Sequence, residues 1–296
     1  MFGRLKRLAS ATSPGKGEST TVGVGCSRLN ERVRKALSEV VRFLRHGSLP
    51  ISLIAVVPEG TTAEFDAATG GEGLELEVSP NDVAVEEWMV QLLATGRLDG
   101  AVRGFLPSTP FLSAVRSRFG VSHTFRLALL ETRDGTSFWF APVGIDEDTP
   151  AHKEAFVRKG LELVRLVGLK PSVALLSAGR RGDAGRNERV RASLVETEAL
   201  AKRLDASIPD AHVWHAEILL EKAVERGAGL VVAPDGVSGN LIYRTLVNLG
   251  GGRAFGAVYL GLDRPCVDTS RAGHVSELIG GALLAAALIK ATEWKP

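Results

Sequence analysis

The sequence predicts an α/β protein with mostly parallel sheets, organised as two halves. Three observations lead there. Short apolar runs alternate with amphipathic stretches of about 10–15 residues, the pattern of strands joined by helical crossovers. A polar stretch, GIDEDTP (144–150), interrupts that alternation near the middle of the chain. The length, 296 residues, suits one large or two medium domains.

In the first half, VGVG (22–25) reads as a buried strand, followed by an amphipathic helix near 29–46 and a second strand, ISLIAVV (51–57). LELEV (74–78) alternates like a half-exposed strand, and VAVEEWMVQLLAT (83–95) has a helical period. GAVRGF (100–105) reads as a strand, with Ser108 capping a helix to about Arg118. TFRLALLET (124–132) and SFWFAPV (137–143) flank an Asp-Gly turn and predict a hairpin. In the second half a helix (150–168) leads into strand SVALLSA (172–178), then helices from Asn187 and from His215 to Arg226. GLVVAP and AFGAVYLGL (254–262) are strands, separated by a helix from Gly239 to Leu249, and a last helix starts near His274. The domains expected are a disordered basic tail (1–20), a first domain of 21–148 with 274–296, and a second of 149–273.

Composition narrows the function classes. A net charge of +2 and a pI near 8.6 are too balanced to suggest a nucleic-acid or membrane-surface partner. Two distant cysteines, Cys26 and Cys266, form no CxxC or disulfide framework and fit a reducing, cytoplasmic setting. LIGGALLAAALI (278–289) is too short to span a bilayer and reads as a buried helix. HVWH (212–215) has helical metal-ligand spacing but no obvious third ligand, so no metal is expected. Arginine dominates lysine and Gln91 is the only glutamine, a bias of hot-growing or GC-rich sources.

Four loops after predicted strands carry the residues that could bind a ligand. In AGRRGDAGRNERV (178–190), Arg180, Arg181, Gly182 and Arg186 open a helix and would attract a phosphate; a solvated turn with Arg186 and Asp183 paired is the alternative. In PDGVSGNLIYR (234–244), Asp235 and Gly236 end a strand, Gly239 and Asn240 start a helix, and Arg244 follows one turn on; an ordinary strand-to-helix turn would look the same. LGGGRAFG (249–256) carries glycines that a helix C-terminus alone explains in part. In RPCVDTSRAGHVSELI (264–279), Asp268, Ser270, Arg271, His274 and Glu277 could bind an anion and manage a proton, or form a cap with Arg271 and Glu277 paired.

Taken together, SVALLSAGRRGD, GLVVAPDGVSGNLIYRTL and GGGRAFGAVYLGLDRPCVDTSR resemble the phosphate acetyltransferase/butyryltransferase superfamily over roughly 170–280, with weaker likeness through DGAVRGF (99–105). Within it, GRRGDAGRN and PDGVSGNLIYR resemble the methyltransferase-related MtxX group, also called methanogenesis marker proteins. The resemblance implies a two-domain α/β/α fold like isocitrate and isopropylmalate dehydrogenases, with a ligand cleft between the domains. It implies a cytoplasmic, archaeal homodimer that binds a small phosphorylated ligand, with coenzyme A or another phosphorylated coenzyme as its cofactor. Ser270 and Arg271 stand at the family's phosphate-binding pair, and Glu277 stands where the transferases use an aspartate to deprotonate a thiol. Arg103 stands where those enzymes have a small residue, and Arg116 is a loose match to a further arginine. Three functions follow as expectations: a transferase with a changed substrate, an active phosphate acyltransferase, or a non-catalytic subunit of a methyl-transfer complex.

Overall fold

The computed structural model describes residues 1–11, 19–61, 74–144, 150–271 and 273–291. The chain forms two compact units, one of Phe2–Thr124 with the residues from Phe255 onward, the other Phe125–Ala254. The hairpin therefore belongs with the second half, and 255–273 with the first, where the sequence reading placed them the other way. The reason is strand pairing. The hairpin's second strand joins the strand 230–232 of the later half, and strand 266–268 joins the strand 100–102 of the earlier one. The expected break at GIDEDTP falls largely on 145–149, outside the described residues.

The first unit contains α1 (Phe2–Ala9), β1 (Thr20–Gly25), α2 (Glu31–His46), β2 (Ile51–Val57), β3 (Glu75–Val78), α3 (Val85–Thr95), β4 (Gly100–Val102) and α4 (Ser108–Phe119). With the second unit's elements numbered in between, it closes with β10 (Arg253–Tyr259), β11 (Cys266–Asp268) and α9 (Val275–Lys290). Its strands run in the order β3-β2-β1-β4-β11-β10, parallel except where β10 meets β11. Ala101 packs among Met89, Leu92 and Leu93 of α3. A Cβ on Gly281 of α9 would reach Val102 at 3.4 Å. Neighbouring strand residues face opposite ways, so α3 and α9 cover opposite faces of this sheet. Gly104, just past β4, has φ +61°, and a Cβ there would sit 2.8 Å from the Gly25 carbonyl. That contact lets β4 and β1 deliver their following loops to one place.

The tail reading is corrected for residues 2–9, which form α1; residues 12–18 lie outside the described set. Leu5 and Ala9 are fully buried, α1 packs on α9, and the Phe2 ring meets Phe255 edge-on at 4.8 Å. Apolar residues at helical spacing thus outweigh the basic, Ser-rich composition. α9 is buried from Glu277 through Lys290, as its apolar sequence requires. No helix among the described residues is long and apolar enough to cross a membrane.

The second unit contains β5 (Arg126–Glu131), β6 (Ser137–Ala141), α5 (Pro150–Leu166), β7 (Ser172–Leu176), α6 (Glu188–Ser207), β8 (His212–Glu217), α7 (Leu220–Glu225), β9 (Leu230–Val232) and α8 (Gly236–Asn248). Strand order is β5-β6-β9-β7-β8, with the hairpin β5-β6 antiparallel and the rest parallel. One helix expectation fails here. His212–Glu217 is a strand, so His212 and His215 lack a helix's i, i+3 alignment and the metal spacing is void. Among the described residues no cluster of three potential ligands could hold a metal ion.

Candidate functional site

The expected site residues divide between the two units. In the second unit the structure gives each a local task. Asp235 is the N-cap of α8, accepting the Ser238 N–H at 2.7 Å, and pairs with Arg189 at 3.5 Å. The helix therefore starts at Gly236, not Gly239. A Cβ on Gly239 would lie 2.0 Å from the Pro142 carbonyl, so this glycine admits the backbone beyond β6 rather than a ligand. Asn240 donates to the Val143 carbonyl at 3.0 Å. Arg244 is exposed one turn later. Pro-Asp-Gly…Gly-Asn is in this respect a strand-to-helix turn with its parts fastened.

The arginine loop is similarly neutralised. Arg186 pairs with Asp183 at 2.8 Å, and Arg181 reaches Glu217 at 3.4 Å and Glu198 at 3.8 Å. Backbone donation from Arg180, joined by the Arg186 charge, holds the Asp183 carboxyl below its ordinary range. Arg180 and Gly182 are exposed beside these pairs. The alternative weighed from sequence, a solvated turn with Arg186 and Asp183 paired, describes this geometry.

In the first unit the residues converge. Arg103, expected to face a ligand, is buried, and its guanidinium binds Asp268 at 2.5 Å, the Thr269 carbonyl at 2.6 Å and the Leu106 carbonyl. Arg103 and Asp268 are thus each other's partners. They fasten the end of β4 to the segment after β11. Glu277 is likewise buried, 5% exposed, in the first turn of α9. Its Oε1 accepts the Ser270 N–H at 2.8 Å, and a Cβ on Gly273 would strike its Oε2 at 2.3 Å. Glu277, expected as the thiol base, is thus a buried carboxylate that anchors Ser270.

What that loop presents is a pocket of about 630 Å³, formed by one face of α2, Gly104–Phe105, Thr269–Ser270, Gly273–Val275 and Leu278. Ser270 and His274 stand at its wall with Arg32, Lys35, Glu31 and Glu39 of α2, and Ala36, Phe105, Val275 and Leu278 supply apolar surface. Thr269 lines it too: it is only 4% exposed, and its Oγ1 has no hydrogen-bond partner among the described residues. A second cavity of about 440 Å³ holds Arg271 together with Ser27, Arg28, Asn30 and Arg32. Arg32 and Phe105 line both. Arg271 makes no ion pair with Glu277; its carbonyl accepts from Arg32 at 3.4 Å. The sequence reading missed Arg28, Arg32, Lys35 and Phe105. Its available signal was Arg28 and Arg32, spaced i, i+4 just beyond the first strand.

Neither thiol competes for a catalytic role. Cys26 and Cys266 are fully buried and burial pushes both thiols far up, so the thiolate is suppressed.

A sequence model described as "Phosphate acetyl/butaryl transferase" matches residues 77–286. A protein of Methanosarcina barkeri named "Putative methyltransferase mtx subunit X" is 41% identical over 236 residues, covering 79% of this chain and 83% of that one. A "Phosphate acetyltransferase" of Acetivibrio thermocellus is 27% identical over 67% of this chain and 65% of its own length. Among solved structures, a branched-chain phosphotransacylase from Enterococcus faecalis superposes with a TM-score of 0.68 at 20% identity, over 92% of this chain and 99% of that one. A 4-hydroxythreonine-4-phosphate dehydrogenase from Burkholderia phymatum gives 0.56 at 12% identity, over 92% and 98%, so the fold extends to dehydrogenases. The buried Arg103–Asp268 tie and the Ser270 loop it supports thus lie within the matched segment, and the chain belongs to the phosphate acetyl/butaryl transferase family.

Proposed function

We propose that this chain is a group transferase that binds a phosphorylated or coenzyme-containing ligand in the pocket beside Ser270. One observation carries the reading. Ser270 is exposed on the wall of a 630 Å³ pocket whose lining also includes Thr269, Arg32 and Lys35. A hydroxyl beside two cations on one concave wall suits an anionic ligand oxygen. Arg32 and Lys35 supply the countercharge on a wall that also carries Glu31 and Glu39, and the apolar surface of Phe105, Val275 and Leu278 shields the bond being broken from water. In the acyl form of the reaction, a thiolate forms the new bond to the acyl carbon while the carbon–oxygen bond to phosphate breaks and phosphate leaves. The relatives named as methyltransferase subunits support a methyl group as the alternative cargo.

Thermal-shift titration tests the reading with inorganic phosphate, acetyl phosphate, coenzyme A and S-adenosylmethionine. A ligand at 100 times its Kd stabilises by about 2.7 kcal/mol. The expected result is a shift with a phosphorylated ligand that Ser270→Ala reduces. A shift with S-adenosylmethionine alone that Ser270→Ala leaves unchanged would overturn it. Thioester formation from acetyl phosphate and coenzyme A would assign the acyl reaction.

A second reading, a non-catalytic subunit of a methyl-transfer complex, is favoured by α8. Its only buried residues are Gly236 and Gly239, while Val237, Leu241 and the following Leu249 are 57%, 61% and 84% exposed. Such a face suits a protein partner. Co-purification that Leu241→Lys abolishes, with no ligand shift in the wild type, would select this reading.

A further inference from the structure

We propose that His215 and Glu217 form a proton-operated latch on the arginine loop of residues 178–186, which holds Arg181 in place while His215 is neutral and releases it when His215 takes up a proton. Two geometric observations carry it. The first is the backbone of Glu217. The register of β7 and β8 shifts between Leu175 and Leu176, and Glu217, opposite Leu176, has φ +58°. A non-glycine residue stays in that region only when its surroundings hold it there. Here the Glu217 carbonyl accepts the Ser177 N–H at 2.8 Å, and its carboxylate accepts the Arg181 N–H at 3.2 Å and the Arg181 guanidinium at 3.4 Å. The strained residue is thus the one that fastens the loop. The second observation lies at the base of the loop. Ser177 is fully buried; its hydroxyl donates to the Gly179 carbonyl at 3.0 Å and lies 2.9 Å from His215 Nε2. A hydroxyl has one proton to give, so Ser177 accepts from Nε2–H and Nδ1 is bare.

Three charged side chains act on the imidazole besides the Ser177 hydroxyl: Arg181 from the loop, Glu198 from α6 and Glu217 from β8 itself. The same two carboxylates serve the Arg181 guanidinium, Glu217 at 3.4 Å and Glu198 at 3.8 Å, and Glu198 also holds Lys202 at 3.1 Å. A proton on Nδ1 therefore adds a cation that repels Arg181 and competes with it for both carboxylates. The linkage has one sign. Burial, and then the Arg181 charge, hold His215 below its ordinary 6.5. Opening the loop relieves both, so the open form binds the proton more tightly, and the proton favours the open form in return. Opening also lets Glu217 leave its left-handed conformation. The latch is shut above 6.5 and loosens as pH falls below it. Arg181 is free to move outward, because its side chain is already 62% exposed. The far half of the loop keeps its own ties, Asp183 to the Arg180 N–H at 3.0 Å and to Arg186 at 2.8 Å, so Arg181 is the part released.

Hydrogen exchange of the whole chain tests this, read at the Arg181 amide and at the amides of β9 at pH 7.5 and pH 5.5, each rate divided by its intrinsic value. Wild type should lose protection at Arg181 by up to about tenfold, the factor by which one unit below 6.5 favours a form that binds the proton over one that does not. His215→Gln, which still donates to Ser177 but does not titrate, should show no such loss, and β9 should keep its protection in both proteins. Equal losses at Arg181 in the two proteins would overturn the latch. A loss in β9 that keeps step with Arg181 would also overturn it, since the proton would then be unfolding the unit rather than opening the loop. A second variant covers the case in which His215→Gln fails to fold. Arg181→Ala, at an exposed position, should raise the pKa of His215 toward 6.5, read from its imidazole proton shifts. An unchanged pKa would show that Arg181 and the imidazole proton are not coupled and would overturn the proposal.

Discussion

The guanidinium of Arg103 lies 2.5 Å from the Asp268 carboxylate, although 165 residues separate them. Both side chains are nearly buried, at 7% and 12% exposure. The same guanidinium binds the Thr269 and Leu106 carbonyls. A buried pair stripped of one partner typically loses about 3–5 kcal/mol. Arg103→Ala is therefore expected to lower the unfolding free energy by about that amount, read from urea denaturation. Arg103→Lys should fail to restore it, because one ammonium does not reproduce three directed contacts. Near-wild-type stability in Arg103→Ala would show that the tie does not hold the loop.

Glu277 separates an anchor from a base. Glutamine keeps a carbonyl oxygen able to accept the Ser270 N–H, now 2.8 Å from Glu277 Oε1, and removes the charge. If anchoring is its task, Glu277→Gln retains phosphate binding, and Glu277→Ala costs about 1–3 kcal/mol of stability by orphaning that N–H. If Glu277 takes a proton from a thiol, Glu277→Gln abolishes acyl transfer while phosphate binding persists. Parallel binding and turnover measurements on the two variants decide between them.

Gly239 is a packing position. Any Cβ there meets the Pro142 carbonyl oxygen at 2.0 Å and the Ala233 Cβ at 3.4 Å, groups that are backbone or adjacent to it. Overpacking of this kind costs about 1–3 kcal/mol. Gly239→Ala should lower Tm without changing phosphate affinity at the Ser270 pocket. A lost ligand shift at unchanged Tm would restore this glycine to the binding surface.

Much of the fold was readable because the apolar runs and the helical periods are local properties. β2 and β6 carry their signal in consecutive residues such as Ile51–Val57 and Phe138–Ala141. β8 was not readable. Glu217–Glu225 supports a helical period, and the strand before it places His212 and His215 where apolar residues normally mark an edge. β11 is only Cys266–Asp268, too short for any period. At the site, Ser270 and Arg271 were visible as a motif, whereas Arg28, Arg32 and Lys35 look like the solvated start of an amphipathic helix. Only the adjacency of β1, β4 and β11 gathers them, and strand order is not a local property of sequence. The burial of Arg103 was not readable for the same reason: its partner Asp268 is brought to it by the β4–β11 pairing.

His215 gives a pH dependence with a definite sign. Its Nε2 lies 2.9 Å from Ser177 Oγ, and that hydroxyl donates to the Gly179 carbonyl at 3.0 Å. Ser177 must then accept, so Nε2 carries the proton and Nδ1 is bare. Nδ1 is buried and has no hydrogen-bond partner among the described residues. Protonating it places a charge in a partly buried site, so burial, and then the Arg181 charge, lower the pKa from 6.5, against opposing pulls from Glu198 and Glu217. The unfolded chain takes up this proton more readily than the folded one. The contribution to stability is therefore complete above the unfolded value of 6.5 and is lost as pH falls toward the lower folded pKa. Glutamine at this position can still donate to Ser177 and does not titrate. Between about pH 7.5 and about pH 5.5, the urea midpoint of wild type should fall further than that of His215→Gln. The lowered carboxylates Asp183, Glu198 and Asp205 stay ionised across this window, so the difference between the two midpoints reports the imidazole. Equal falls would mean that His215 is protonated as easily in the folded chain as in the unfolded one.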